Sequence, residues 1–271
     1  MNAVWLKRLD VGGMAVSVAT LVLIVVWAFP IFWALLSTAA PAGATGGFFR
    51  TYGYVLFETD LGRWYLNSLV TSGGVTAIVL AISSACGYAI SQIEFTGRKL
   101  LWIVILGSFM IPVQALIVNH FFLIYQWGLL NTWLGVILPQ LIAPIAVIVY
   151  KQFFDGIPKE YGEAAFLDGA KHWQIFLKIY LPMNWGVTLT LAIIVFIGAW
   201  NAFLWPFLAV TKPELMNVTV STAQLSSNGI SGVAAAIMAG LPVTIIYLLF
   251  QRRVTDAVTM SAGGNDEQRY N

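Results

Sequence analysis

The sequence predicts an all-α polytopic membrane protein with six transmembrane helices, and three observations predict it. Apolar types make up 59% of the 271 residues and charged types 10%, where an average soluble domain carries about 25% charged residues. Mean hydropathy is +0.81, too high for a soluble globule with so thin a polar coat. Asp, Glu, Lys and Arg are missing altogether from residues 11–49, 64–93, 100–150, 179–211 and 215–251.

A helix rises about 1.5 Å per residue, so about 20 residues cross the ~30 Å hydrocarbon core. The first charge-free stretch gives a span over about 11–36. Ala39-Ala40-Pro41-Ala42 could pass for a cleavage region after it. The apolar run is nevertheless longer than the ~7–15 residues of a signal sequence and reads as a retained span. The second stretch holds a span over 66–90. Residues 100–150 hold two, 101–124 and 133–153, with Trp127, Gly128, Leu129, Leu130, Asn131 and Thr132 as the turn between them. The last two stretches give 184–208 and 232–250. Membrane strands would alternate over about ten residues, and these runs do not alternate. Helices satisfy backbone hydrogen bonds segment by segment, as hydrocarbon requires. The whole chain, 1–271, reads as one transmembrane domain.

Six spans put both termini on one side. That side collects Lys7, Arg8, Arg98, Lys99, Lys151, Lys159, Lys171, Lys178, Arg252, Arg253 and Arg269, eleven of the fourteen basic residues. Arg50, Arg63 and Lys212 fall opposite. The positive-inside rule makes the eleven-charge side cytoplasmic.

One cytoplasmic loop is long, residues 155–183, with a tail at 251–271. The loop holds Asp155, Glu160, Glu163 and Asp168, four of the twelve acids. Pro158 suits a first helical turn and the early glutamates favour the helix dipole. Ala164 and Ala165 propagate a helix that Gly169 weakens or ends. A second short helix over 171–181 is expected to stop at Pro182. Trp173, Ile175, Phe176 and Ile179 alone would suit an amphipathic element lying on the membrane. The small face of Ala164, Ala165, Gly169 and Ala170, flanked by acids, is instead shaped for a cleft in another protein.

Glu163-Ala164-Ala165, Asp168-Gly169-Ala170, Ile179 and Leu181-Pro182 resemble the EAA loop of ABC importer permeases. Asn67-Ser68-Leu69, Tyr88-Ala89, Phe95-Thr96-Gly97-Arg98, Met110-Ile111-Pro112-Val113-Gln114, Leu129-Leu130-Asn131-Thr132, Trp200-Asn201 and Phe203-Leu204-Trp205-Pro206 extend the likeness over nearly the whole chain. Together they resemble the carbohydrate-uptake, maltose-type branch, in particular its smaller six-span permease subunit. Gly186 stands where that branch commonly has a proline, and Ser261 to Asn271 replace its short, Gly-rich basic end.

The resemblance implies a type I importer fold and a subunit of a bacterial cytoplasmic-membrane complex that imports a sugar by alternating access. Its partners would be a second homologous permease, two copies of a cytoplasmic ATPase and an extracytoplasmic sugar-binding protein. Glu163, Ala164, Ala165, Asp168, Gly169 and Pro182 would couple to the ATPase. ATP and Mg would be bound by the ATPase subunits and no cofactor by this chain.

Several absences agree with that division of labour. There is no G-x-x-x-x-G-K-[ST], and Cys86, His120 and His172 make no metal-binding pattern. The chain is therefore read as no enzyme by itself. A charge of +2 leaves no footprint for nucleic acid. No carboxylate lies within a span, which tells against the alternative of a self-contained secondary carrier or channel for a small polar solute. Gln114, Asn119 and His120 in the third span, and Trp200 and Asn201 in the fifth, are candidates for the substrate path. Helix–helix hydrogen bonding is the plainer role for each. The sequence leaves open whether a disaccharide, an oligosaccharide or a glycerol phosphate is carried.

Overall fold

The computed structural model describes residues 11–39, 47–225 and 229–263, with side chains from 16 to 250 except at 226–228, 230 and 40–46. Lys7, Arg8, Ala40, Pro41, Ala42 and the last eight residues lie outside the described residues, as do the side chains of Arg252 and Arg253. All regular structure among the described residues is helical. Close packing divides the chain into two units: residues 1–59 with 224–238, and 60–223 with 239–271.

In the first unit, α1 (Val11–Ala39) is a single apolar helix with Pro30 inside it. Every described side chain from Val16 to Trp33 is exposed. A helix that is apolar all round and bare in its own chain has lipid or another protein as its solvent. At its end, Thr38 Oγ1 lies 3.1 Å from the Tyr52 hydroxyl. Tyr52 belongs to α2 (Gly47–Phe57), a helix that the sequence reading left within a loop.

The second unit is organised by α3 (Leu61–Gln92), which packs chiefly against α7 (Pro144–Asp155) and α11 (Trp185–Trp200). Gly87 sets the approach of α3 to α7. A β-carbon there would lie 2.7 Å from Tyr150 Cβ and 3.0 Å from Lys151 N, so only glycine lets the two backbones meet. Serines 72, 83, 84 and 91 are buried on the same helix and keep it slim.

The spans predicted at 101–124, 133–153 and 184–208 are present but broken. α4 (Arg98–Phe109) turns by 92° into residues 113–126, where a 3-10 turn leads to α5 (Ile117–Gln126). Pro112, extended at the bend, has no N–H to continue α4. α6 (Trp133–Ile137) and a 3-10 turn meet α7 at 52°, with Pro139 and Pro144 flanking the corner. The fifth helix, α11, ends at Trp200 and not at 208. The chain restarts as α12 (Leu204–Ala209), whose third residue is Pro206. That ring is tolerated in a first turn but would strike the carbonyl four residues back in a continuous helix. After α13 (Val218–Leu225), α14 (Ile230–Gly263) contains the sixth span. Thus α1, α3 and α14 are each long and apolar enough to cross a membrane in one piece, and the described residues reach six spans if each of three bent pairs counts as one. Of the third pair, His172–Met183 with Trp185–Trp200, only α11 falls within the span predicted at 184–208.

Asn67 and Asn131 fasten the connections. Asn67 donates to the Glu214 and Met216 carbonyls and accepts from the Trp133 indole. Asn131, left-handed at φ 58°, accepts from the backbone of Thr211 and Lys212. Asparagine tolerates that conformation, which explains its place in the predicted turn.

Candidate functional site

Residues 155–183 form a helix, a break and a helix, as the sequence predicts. α8 (Glu160–Leu167) starts after Pro158, with Glu160 and Glu163 in its first turn. It ends in a Schellman turn: Gly169 N–H bonds the Phe166 carbonyl, and Ala170 N–H bonds Ala165 at 3.0 Å. Gly169 has φ +84°, a conformation costly for any residue with a β-carbon. The next helix begins with α9 (His172–Ile175), where the Gln174 side-chain carbonyl accepts from Lys171 N–H.

Pro182 does not stop this helix, contrary to expectation. Phe176–Tyr180 widen into a π-helical turn closed by Leu181 N–H on the Phe176 carbonyl. The extra residue makes room for the proline ring, and α10 (Leu181–Met183) follows with Pro182 inside. The 80° turn into α11 comes at Asn184.

Beneath the loop, Tyr88, Tyr150, Phe154, Ile157, Ile175, Tyr180 and Leu191 form a buried cluster, with Ala165, Ala170 and Ile179 packed on it. The inner side of the small face is therefore used by the protein itself. The outer side is bare: Glu163, Ala164, Asp168 and Gly169 are exposed, and Leu167 stands 88% exposed at the tip. With Ala164 and Gly169 beside it, this leucine makes a small uncovered apolar knob among the described residues.

A polar chain ties the knob to the bundle. The Tyr180 hydroxyl donates to Gln92 Oε1. Gln92 Nε2 donates to Ser91 Oγ and to the Phe154 carbonyl. Ser91 Oγ donates to Asp155, which also pairs with Lys151. Burial first, then the Glu163 and Glu160 carboxylates, pushes the Tyr180 phenol above its ordinary range, so it stays a donor at physiological pH. Gln92, Ser91 and Tyr180 were not singled out from sequence. The run Ser91-Gln92, polar at the end of an apolar span, is the signal that was available.

The path candidates divide. Gln114 and His120 line one pocket of about 210 Å³ together with Gln140, Phe203 and Trp205. The His120 and Trp205 rings meet edge to face at 6.2 Å. Asn119 and Asn201 are exposed outside that pocket's lining. Trp200 is buried, stacked between Tyr65 and Phe196, and its indole donates to the Ala239 carbonyl. Gln140 is a pocket-lining amide that sequence reasoning did not single out; its position beside Pro139 at the broken fourth span marks it in retrospect.

Comparison with known proteins fits this geometry. Residues 77–259 match the family described as the binding-protein-dependent transport system inner membrane component. The diacetylchitobiose uptake system permease protein NgcG of Streptomyces coelicolor is 30% identical over 263 residues, covering 90% of this chain and 87% of that one. The arabinooligosaccharides transport system permease protein AraQ of Halalkalibacterium halodurans is 32% identical over 212 residues, 76% of each chain. A solved chain from a bacterial ABC transporter involved in the import of the acidic polysaccharide alginate superimposes with a TM-score of 0.81 at 21% identity. The match covers 92% of this chain and 98% of that one, and speaks for the fold.

Proposed function

The chain belongs to the binding-protein-dependent transport system inner membrane component family, and within it we propose the permease subunit of an ATP-driven importer for a di- or oligosaccharide. The names of NgcG and AraQ, each a permease for short glycans, support that substrate class. The partners are a second, homologous permease, two copies of a cytoplasmic ATPase that bind ATP and Mg, and an extracytoplasmic binding protein. Both termini and residues 155–183 face the cytoplasm, following the basic residues.

The observation that carries the mechanism is the exposed Ala164–Leu167–Gly169 tip held on a rigid aromatic base. The ATPase groove grips that tip: Glu163 meets basic groove residues, Ala164 and Leu167 fill the cleft, and Gly169 sets the turn. When ATP closes the ATPase dimer, α8 moves as a rigid body. Its Schellman turn and the Tyr180–Gln92 bond pass the motion to α3 and α7, and the bundle exchanges inward- for outward-facing. Such switching requires that the grip differ between the two states.

The pocket of Gln114, His120 and Gln140 supports a sugar path on this chain: its amides can bond hydroxyls against a wall made by the buried Trp205, whose indole N–H is held by the Gly135 and Val136 carbonyls. At about 210 Å³ it is below the ~300 Å³ where drug-sized sites begin, so the second permease completes the site.

The reading is tested in proteoliposomes. Chain, partner permease and ATPase together should take up sugar with ATP and binding protein, and the chain alone should take up none. Uptake by the purified chain without ATPase would overturn it.

A further inference from the structure

Beside the 155–183 loop, α3, α4 and α7 enclose an open groove of about 820 Å³ lined among others by Glu94, Arg98, Lys99, Leu100, Trp102 and Lys151, and its Glu94 and Arg98 also border the cleft that reaches Glu163 and Leu167. Three of the groove residues are cations and one is an acid. The cations differ in what engages them. Arg98 donates to the Ser91 and Ile93 carbonyls, which hold the guanidinium without neutralising it. Lys151 pairs with Asp155 and stands 4.9 Å over the Trp102 ring. Lys99 is exposed and has no partner among the described residues.

The groove sits where the charge-free part of α3 ends and that of α4 begins, which is the level of lipid headgroups. Its apolar wall continues up α4. There Trp102, Ile105 and Ser108 are half-buried on the inner face, while Leu100, Ile103 and Val104 are bare. A positive mouth opening on to a bare apolar helix has the chemistry of one kind of ligand: a phosphate with hydrocarbon attached. Tryptophan at the mouth suits the interface.

We propose that this groove binds the headgroup of an anionic phospholipid, with Lys99 and Arg98 on the phosphate, Lys151 behind them, and an acyl chain along Leu100, Ile103 and Val104. Glu94, at the edge, repels a second anion and favours a single phosphate. The inference rests on the membrane placement of α3 and α4, and Lys99, outside the cleft that reaches the 155–183 tip, is the residue that separates it from ATPase docking.

The test uses the full chain assembled with its partner permease and ATPase in nanodiscs containing phosphatidylglycerol and phosphatidylcholine. Photoreactive analogues of the two lipids are compared by peptide mapping. Phosphatidylglycerol should label residues 90–104 in preference to phosphatidylcholine. Lys99→Glu should lower that labelling at least about fivefold, given what one surface cation contributes to anionic-lipid attraction. Labelling along α1 should not change. Lys99 is exposed and unpaired, so the variant keeps its fold. Equal labelling by both lipids, indifference to Lys99→Glu, or loss of labelling to millimolar inorganic phosphate would each overturn the proposal, the last by marking a free-anion site.

Discussion

The Tyr180 hydroxyl donates to Gln92 Oε1 across 2.9 Å, joining residues 88 apart in sequence. It is a direct polar bond between the 155–183 loop and the central helix α3. Gln92 carries the load onward through Ser91 and the Phe154 carbonyl to the end of α7. Tyr180→Phe should keep the aromatic packing and lose the bond, worth about 1 kcal/mol, leaving Gln92 Oε1 unpaired. The expected outcome is unchanged membrane insertion, with stimulation of the ATPase by binding protein reduced about fivefold. Gln92→Leu should cost more, because the Phe154 carbonyl and Ser91 then lose a donor as well. Stimulated and basal ATPase rates in proteoliposomes check both variants.

At Gly169 the chain demands a left-handed residue, yet open space surrounds the position. Strain and not collision therefore sets the cost of substitution. Gly169→Asn should retain most activity, since asparagine visits this conformation. Gly169→Ala should lose about 1–2 kcal/mol of local stability, and a β-branched Gly169→Val should lose more. Gly169→Asp adds charge to the docking tip and should abolish uptake while the six spans remain inserted. Uptake rates that fall in the order Asn, Ala, Val would identify the backbone as the determinant; equal rates for all three would refute it.

Ala165 and Leu167 face different ways and should fail differently. Ala165 packs on the buried aromatic cluster, so Ala165→Asp puts a charge against it and should disorder the loop as well as stop uptake. Leu167 packs on little, so Leu167→Asp should leave the unfolding free energy of the purified chain within about 0.5 kcal/mol of wild type. It should nevertheless release the ATPase on co-purification. Retention of the ATPase by Leu167→Asp would move the docking surface elsewhere.

How much of this was legible depended on what each feature needed. The spans required only the absence of charge, which is visible in any window of sequence. The Schellman turn required one glycine after two alanines, also local. Pro112 and Pro206 were visible, but a proline in a span permits either a kink or a clean break, and the choice lies with packing. Pro182 was misjudged because the π-helical turn that absorbs it is a response to the Tyr88–Tyr180–Phe154 cluster, assembled from three helices. The Gln92 chain was invisible for the same reason: its partners lie 62 and 88 residues away. Gly87 shows no local pattern that separates it from Gly73 or Gly107, and only the face of α7 opposite it explains the residue.

That face supplies a further prediction. A β-carbon at Gly87 would sit 2.7 Å from Tyr150 Cβ and 3.0 Å from backbone, where neither side can swing away. Gly87→Ala should force α3 and α7 apart, at about 1–3 kcal/mol for an overpacked contact. Gly73, with open space, should accept alanine without loss. Thermal unfolding of the two detergent-solubilised variants should show a lower midpoint for Gly87→Ala alone.

The pocket gives the last prediction, because it separates binding from coupling. Gln114, His120, Gln140 and Trp205 line it, whereas Trp200 is locked by two ring stacks and the Ala239 carbonyl. If the pocket touches sugar, Gln140→Leu and Gln114→Leu should each raise the half-saturating concentration of sugar-loaded binding protein or slow uptake about fivefold, the worth of one hydrogen bond. ATPase co-purification should stay intact, since neither residue belongs to the 155–183 loop or lines the cleft at its tip. Trp200→Phe should act oppositely: it removes the indole's bond to the Ala239 carbonyl and lowers thermal stability, with substrate preference unchanged. The discriminating measurement is uptake of two glycans of different length by each variant. A pocket on the path shifts their ratio when Gln140 or Gln114 is altered, and a packing residue such as Trp200 lowers both in proportion.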